Sequence, residues 1–410
     1  MRTENSMADT NRSQSLDIVL GLLPLLLGLQ LIIWIVYLPA AVRGNADFRV
    51  FYSGGYLLRS GQASQIYDDN RVKNIQDELV SSSPWVLPFT HPAYETMLFV
   101  PFSLLRYQAA YFTFLGFNLL CLVIGYWFLR TRFGPLRERW RWLSPLAVLG
   151  FMPVPAVLMQ GQDSLILLAL FTAALAFMDS GFELTAGLLL GVGMFKFQIL
   201  IPIGFLFFVW RRWQILFGTV ISGAVALALS VALTGIDAQR TYAHKLYDIS
   251  LKRHGADLTG YGVPVAGMPN IRGMVSSVLH VAPGISLSTI IISSLVLIVL
   301  AAWRGWSTSP QWQLAIAISA AALTGYHVLP HDLSILLIPM AILLGQSKAH
   351  GLWVFPLLWV TAPICFFHYS YLFALPLLAF FVVLITAARI PFSREPSTTD
   401  VRLVQQLICD

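Results

Sequence analysis

Apolar runs long enough to cross a lipid bilayer recur along this chain, with arginines and lysines gathered between them. A bilayer core takes about 20 apolar residues of helix, and fewer where other helices surround the span. Leu16–Leu38, Ala109–Leu129 and Gln214–Leu233 meet that length. Leu143–Met159, Ser164–Met178, Leu287–Trp303, Trp312–Tyr326, Leu333–Leu344, Leu352–Phe367 and Tyr371–Ala387 are shorter runs of the same kind. Leu184–Trp210 is too long for one ordinary span and holds Lys196 at its middle, so two short spans meeting at Lys196-Phe197-Gln198 fit it better. The total is about twelve spans. Backbone polar groups in lipid must pair within the segment, so the expected class is an all-α polytopic membrane protein. The chain is 57% apolar and 11% charged, against about 25% charged in soluble domains.

Residues 1–15 are read as a disordered cytoplasmic N-terminus, 16–388 as the transmembrane domain and 389–410 as a cytoplasmic tail. Leu16–Leu38 exceeds a signal-peptide core and no clear small-residue cleavage site follows, so it is read as a retained span. The net charge is +6. The basic residues lie between apolar runs, which points to topology and anionic lipid rather than nucleic acid. Arg130–Arg141 holds five arginines and one acid, the strongest cytoplasmic signal. With the N-terminus inside, Arg211, Arg212, Arg304, Lys348 and Arg389 fall on that same side. Counting the apolar segment Pro92–Leu105 as a span would put the arginine-rich loop outside, so it is read as re-entrant or interfacial. The outer face then holds loops 39–108 and 234–286 and the short joins at Gln160–Asp163, Lys196, His327–Asp332 and His368. Cys121, Cys365 and Cys409 are too scattered for a disulfide framework or a metal site.

Candidate functional residues gather on that outer side. Phe48, Phe51, Tyr52, Gly55 and Leu58 recur at helical spacing with Arg49, Ser53 and Ser60 opposite, the pattern of an amphipathic juxtamembrane helix. Asp47 opens it, either as an N-cap, the better reading from the residue alone, or as a base for an acceptor hydroxyl. His91 and Glu95 are four apart and suit one helical face, as a site or as a polar rim beside Tyr94. Gln160-Gly161-Gln162-Asp163 reads first as a tight turn. Lys196 needs an anion, such as a lipid phosphate, or must snorkel. Tyr326-His327 with His331-Asp332 suits proton handling better than metal binding, since no HExxH pattern accompanies it. Arg272, in Asn270-Ile271-Arg272-Gly273, is a phosphate ligand or a solvated arginine. The chain lacks a P-loop, a GxGxxG fingerprint and a GxSxG elbow, so a nucleotide-driven pump is not expected.

Taken in order, Asp47–Tyr52, the stretch Gly61–Asp68, His91–Tyr94, Gly161–Asp163, Ala186–Gly191 leading to Lys196, Asn270–Gly273 and Tyr326-His327 with His331-Asp332 resemble glycosyltransferase family 87. This family of GT-C membrane enzymes is similar to the polyprenol-phosphate-mannose-dependent α-1,2-mannosyltransferases of actinobacteria. The resemblance implies a GT-C fold. It also implies inverting transfer of a hexose, mannose by default, from a polyprenyl-phosphate donor to a glycan or glycolipid acceptor at the outer face. On this resemblance Asp47, His327 and His331 are catalytic. Lys196 and Arg272 bind the donor phosphate, and Tyr52, His91, Tyr94, Gln162, Asp163, Asn270 and Asp332 line the substrate site. No cofactor or metal is expected beyond the lipid-linked sugar as co-substrate. The expected location is the plasma (inner) membrane, with the site facing the periplasm or cell exterior. The chain departs from many relatives in having His91-Pro92-Ala93 for Tyr-Pro-Pro, and Asp163 where Asn often follows the Gly-Gln pair. The competing readings are a transporter or flippase of lipid-linked sugar, which would show paired repeats and midplane polar groups, and a non-catalytic envelope-assembly protein.

Overall fold

The computed structural model describes residues 2–84, 86–251, 265–279, 283–345 and 353–388. The tail 389–410, with Arg389 and Cys409, lies outside them, as do Lys348 and residues 252–264 of the second long loop. Among the described residues every regular element is helical. Among the described residues six helical stretches are long and apolar enough to cross a membrane, by length and composition: Gly21–Arg59, Tyr107–Leu129, Glu183–Val209, Trp213–Thr234, Gly284–Gly305 and Ser370–Ala387. Leu143–Gly150 and Pro153–Gln160 make a seventh if taken as one span bent by 63°. Ser164–Asp179, Pro330–Gly345 and Phe355–Phe366 are shorter apolar helices. The expectation of about twelve spans therefore exceeds the number that pass on length and composition. Several expected spans are short helices packed among neighbours, as the buried Pro310–Thr324 helix illustrates.

The first helix is continuous from Arg2 to Ala40, so the polar leader expected to be disordered continues its backbone. No glycine or proline precedes Gly21 to stop a helix already nucleated in the apolar run. Gly44, at φ 104°, breaks the path before Phe48–Arg59 begins. Such a φ is open to glycine and strained for other residues.

Phe48–Arg59 is helical as the spacing predicts, but it is not two-faced toward solvent. Phe48, Phe51 and Tyr52 are buried, and so are Arg49 and Ser53 on the opposite face. The Asp69–Leu79 helix and the residues that follow it to Ser81 cover that face. Arg49 donates from Nε to Gln76 Oε1 at 3.2 Å and from Nη2 to the Ser81 carbonyl at 2.6 Å, and it pairs with Asp77 at 3.2 Å. Burying a guanidinium is tolerable only with such partners. Phe48 stacks on Phe114 at 5.0 Å, fastening the loop to the Tyr107–Leu129 helix, and Phe51 stacks on Phe99 at 4.5 Å within the loop. Pro92–Leu105 forms short helical turns, Ala93–Glu95, Thr96–Phe99 and Phe102–Leu104, and does not count among the spans.

Side-chain contacts sort the helix ends into two groups. At one end Arg139 reaches Asp17 at 2.6 Å, Arg132 pairs with Asp179, and Arg212 pairs with Glu183 at 2.8 Å. Arg212 Nε also donates to Gln313 Oε1 at 2.7 Å. At the other end lie Asp47, Gln162, Lys196 and Asp332.

The contact between Glu183 and Arg212 decides the path of Glu183–Val209. A straight helix of that length would separate its ends by about 40 Å, which excludes an ion pair. Gly187 sits against the Ile215 backbone, and Gly191 against Thr219 and Ser222. Glu183–Val192 and Trp213–Thr234 therefore run in the same direction. The chain must turn back between them, and it does so through the 3-10 turn Gly193–Lys196. The two short spans expected to meet at Lys196 are this hairpin. A Cβ on Gly187 would lie 2.1 Å from the Ile215 carbonyl oxygen, so the small residues set how closely the helices approach.

This path predicts that Glu183→Cys and Arg212→Cys, placed together in a cysteine-free background, are joined by a short bis-maleimide. A shift in gel mobility reads the link, and its absence would favour a straight crossing.

Candidate active site

The site lies where three short breaks in the helices meet the first long loop. The first break is Gly161, at φ 63°, which ends Pro153–Gln160 in the left-handed conformation. A Cβ there would fall 2.6 Å from the Phe48 Cβ, so the turn can press against the start of Phe48–Arg59 only as glycine. The second is the Gly193–Lys196 turn, and the third is the join Gly325–Leu329 before Pro330–Leu336.

The close packing at Gly161 places Gln162 beside Asp47. Gln162 Nε2 donates to Asp47 Oδ2 at 2.7 Å, while Asn118 Nδ2 holds the Gln162 carbonyl at 2.9 Å. Asp47 stands at the N-cap position, yet its side chain makes no capping bond, and its backbone (φ −61°, ψ −22°) is already helical. The capping role that the residue alone favoured is not the one its carboxylate plays. Among the described residues no hydrogen bond reaches Asp47 Oδ1, and the residue is half-buried.

Behind Asp47 runs a buried chain of charges. Lys196 Nζ sits 2.8 Å from Asp163 Oδ1 and 3.0 Å from Asp332 Oδ1. Lys196 is 3% exposed, Asp163 0% and Asp332 1%, so all three are removed from solvent. Ser164 Oγ donates to Asp332 Oδ1 at 3.0 Å, and the Leu329 amide donates to Oδ2 at 2.9 Å. His331 Nε2 is 3.5 Å from Asp332, and its Nδ1 is 3.0 Å from Gln160 Oε1. On the other side His91 Nδ1 lies 2.8 Å from Glu95 Oε2 and 3.4 Å from Asp163 Oδ2. The four-residue spacing of His91 and Glu95 thus becomes a direct contact. Burial alone would discharge His91, but the Glu95 carboxylate outweighs it and raises the imidazole above its ordinary value. Burial pushes the Glu95 carboxyl up to about 7. His327 is pushed down to about 4 by burial, so it is neutral at pH 7.

Lys196 was expected to meet a donor phosphate. The structure surrounds its ammonium with two carboxylates, which satisfy it without a ligand. Asn270 is fully buried and caps Ile271–Val278: its Oδ1 accepts from the Gly273 amide at 3.0 Å and its Nδ2 donates to the Gly325 carbonyl at 2.7 Å. Arg272 donates to the Tyr326 carbonyl at 2.8 Å and lies 3.7 Å above the Tyr326 ring. The Asn-x-Arg-Gly motif therefore braces the histidine join. Tyr52 donates to the Leu105 carbonyl at 2.8 Å within the first loop, and Tyr94 donates to the Val192 carbonyl at 3.0 Å, tying that loop to the Glu183–Val192 helix. Asp47, His91, Gln162, Asp163, Lys196, His331 and Asp332 are brought into one network, whereas Tyr52 and Asn270 serve as braces around it.

Sequence reasoning passed over Gln160 and Ser164 as members of the network. Both flank residues it did select, and neither has a spacing that marks it. It named Glu95 without assigning it to the site. The signal available there was an acid entering an apolar segment, where an unpaired carboxylate is costly.

The family model described as Glycosyltransferase family 87 matches residues 89–330, more than half of the chain. No curated protein and no solved structure matches it. The matched region takes in His91, Asp163 and Lys196, while Asp47 precedes it and His331 and Asp332 follow directly.

Removing one member of a buried ion pair costs about 3–5 kcal/mol, because it strands the other charge. Lys196→Met is expected to destabilise the purified protein by that order. Lys196→Met with Asp163→Asn should recover part of the loss. Thermal unfolding in detergent compares the two, and equal melting temperatures for Lys196→Met and the parent would contradict the ion-pair geometry.

Proposed function

Because the chain belongs to glycosyltransferase family 87, and so is a membrane glycosyltransferase, we propose that it transfers a hexose, mannose by default, from a polyprenyl phosphate. The acceptor is a glycan or glycolipid, and the reaction inverts the anomeric centre. The observation that carries this reading is Asp47: a half-buried carboxylate with one oxygen held by Gln162 and the other turned to no described partner. That is what a general base for an acceptor hydroxyl requires.

In the reaction, the acceptor oxygen attacks the anomeric carbon as Asp47 Oδ1 takes its proton. The bond from the anomeric carbon to the phosphate oxygen breaks, and polyprenyl phosphate leaves with the electron pair. Phosphate is a competent leaving group, so the protein's main tasks are alignment and proton removal. Gln162 aligns Asp47. Lys196 holds Asp163 and Asp332 in place behind it, as a buried counter-charge rather than a first contact for the donor. In this reading the donor phosphate falls to Arg272, beside Tyr326 and the neutral His327. His331 keeps the join aligned through Gln160.

The proposed topology has twelve crossings. The end with Arg132, Arg139 and Arg212 faces the cytoplasm by the positive-inside rule, and the Asp47 end faces the periplasm or cell exterior. Support comes from the two groups of end contacts and from the hairpin at Lys196. A polyprenyl tail is at home in lipid while its phosphate and sugar stay at the boundary, where this network lies.

Asp47→Asn is expected to lower transfer by about 10²–10⁴-fold with insertion and melting temperature near those of the parent. The measurement is sugar transfer from a polyprenyl-phosphate sugar in membranes carrying matched amounts of protein. Near-parental transfer would remove Asp47 as the base. Movement of labelled lipid in proteoliposomes with no glycosidic bond formed would replace the transferase reading with a flippase.

A further inference from the structure

Three side chains in the network converge on one point. His91 Nδ1, a Glu95 carboxylate oxygen and an Asp163 carboxylate oxygen all lie within 4.8 Å of one another. His91 Nδ1 is 2.8 Å from Glu95 Oε2 and 3.4 Å from Asp163 Oδ2. A four-coordinate ion with bonds of about 2.0–2.1 Å holds its ligand atoms roughly 3.3 Å apart, so these separations bracket that value. The contacts are close but fall short of well-aligned hydrogen bonds: His91 Nδ1 and both oxygens of Glu95 are buried without an aligned partner among the described residues, and the ring and the carboxylate face each other at 2.8 Å. Glu95 is 3% exposed. Two acceptors on a carboxylate so deeply buried carry a large cost unless a cation meets them.

We propose that His91, Glu95 and Asp163 form a binding site for a divalent transition-metal ion, with Zn2+ the best-suited probe.

The donor set decides the class of ion. One imidazole nitrogen and two carboxylate oxygens suit Zn2+, and no thiolate takes part. The surroundings are those of a built site. Asp163 uses its second oxygen, Oδ1, on Lys196, which orients the oxygen facing His91. Metal-bound carboxylates are commonly fixed by such outer partners. The His91 ring is set edge-on against Phe51 at 5.0 Å, and its backbone carbonyl accepts from Tyr67 Oη at 3.0 Å. Lys196 pairs with Asp163 and Asp332, so among the described residues the buried Glu95 carboxylate has no lysine or arginine partner and faces the His91 ring. The His91 side chain is 15% exposed, which leaves a route for the ion and a position for a water or substrate oxygen. This departs from the sequence-based expectation that no metal is needed. The site also reaches Asp47 indirectly, since Asp163 follows Gln162 in the chain and Gln162 holds the Asp47 carboxylate.

The test reads metal content with no sugar donor present, so its failure is separate from any failure of the transferase reading. Full-length protein purified in detergent is stripped with a chelator, equilibrated with Zn2+, desalted and assayed for bound zinc by mass spectrometry. The parent is expected to retain one Zn2+ per chain. His91→Gln and Glu95→Gln are expected to bind at least tenfold more weakly, consistent with loss of a ligand. Substituting Co2+ should give visible bands of a nitrogen- and oxygen-ligated ion in the parent. That spectrum decides the matter by itself if either variant fails to give a monodisperse protein. A parent that retains no stoichiometric Zn2+ and shows no Co2+ bands, or binding unchanged in both variants, overturns the proposal.

Discussion

Lys196, clasped between Asp163 and Asp332, is the interaction on which the rest of the site depends. A lysine deep among helices is affordable only with anions at hand, and two buried carboxylates are affordable only with a cation between them. Each of the three comes from a different break in the helices. Asp163 follows the left-handed Gly161 turn, Lys196 closes the hairpin and Asp332 sits in the 3-10 turn after the histidine join. The ion triad therefore fixes where three pairs of helices stand relative to one another. Asp47, His91 and His331 are then placed against an already positioned core.

Glycines set the approach of the elements that the triad joins. Gly187 and Gly191 bring Glu183–Val192 against the Trp213–Thr234 helix, and that contact carries Lys196 to its partners. Gly161 lets the loop helix Phe48–Arg59 lie directly over the Gln162 turn. In lipid there is little hydrophobic drive between helices, so close packing at small residues and polar contacts carry association. The same packing explains why short helices such as Ser164–Asp179 hold their places without the length of a full span.

Much was legible in the amino-acid order. The apolar runs required a helical membrane protein, since lipid offers no partners for unpaired backbone groups. Lys196 in the middle of an overlong run marked a turn, because a charge there is too costly to leave in a straight span. The order of Asp47, His91, Gln162-Asp163, Lys196, Asn270–Gly273 and His331-Asp332 carried the family, and the family match agrees. Their partners were not legible. Contacts such as Gln162 with Asp47, 115 positions apart, depend on how helices pack and leave no local pattern.

The sequence by itself determined the helical membrane class, the family and the residues with chemistry to offer. Apolar periodicity and residue type are local properties, and lipid enforces them. Only the tertiary structure decided which charge answers which. It turned Asp47 from a cap into a carboxylate held by glutamine, because the helix there starts with no capping bond from that side chain. It set Lys196, expected beside a phosphate, between two buried carboxylates at 2.8 and 3.0 Å. It also made Arg49, read as the polar side of an interfacial helix, a buried tie to Gln76, Asp77 and Ser81. A charge takes its role from what is packed against it, and packing is settled by residues far apart in the chain.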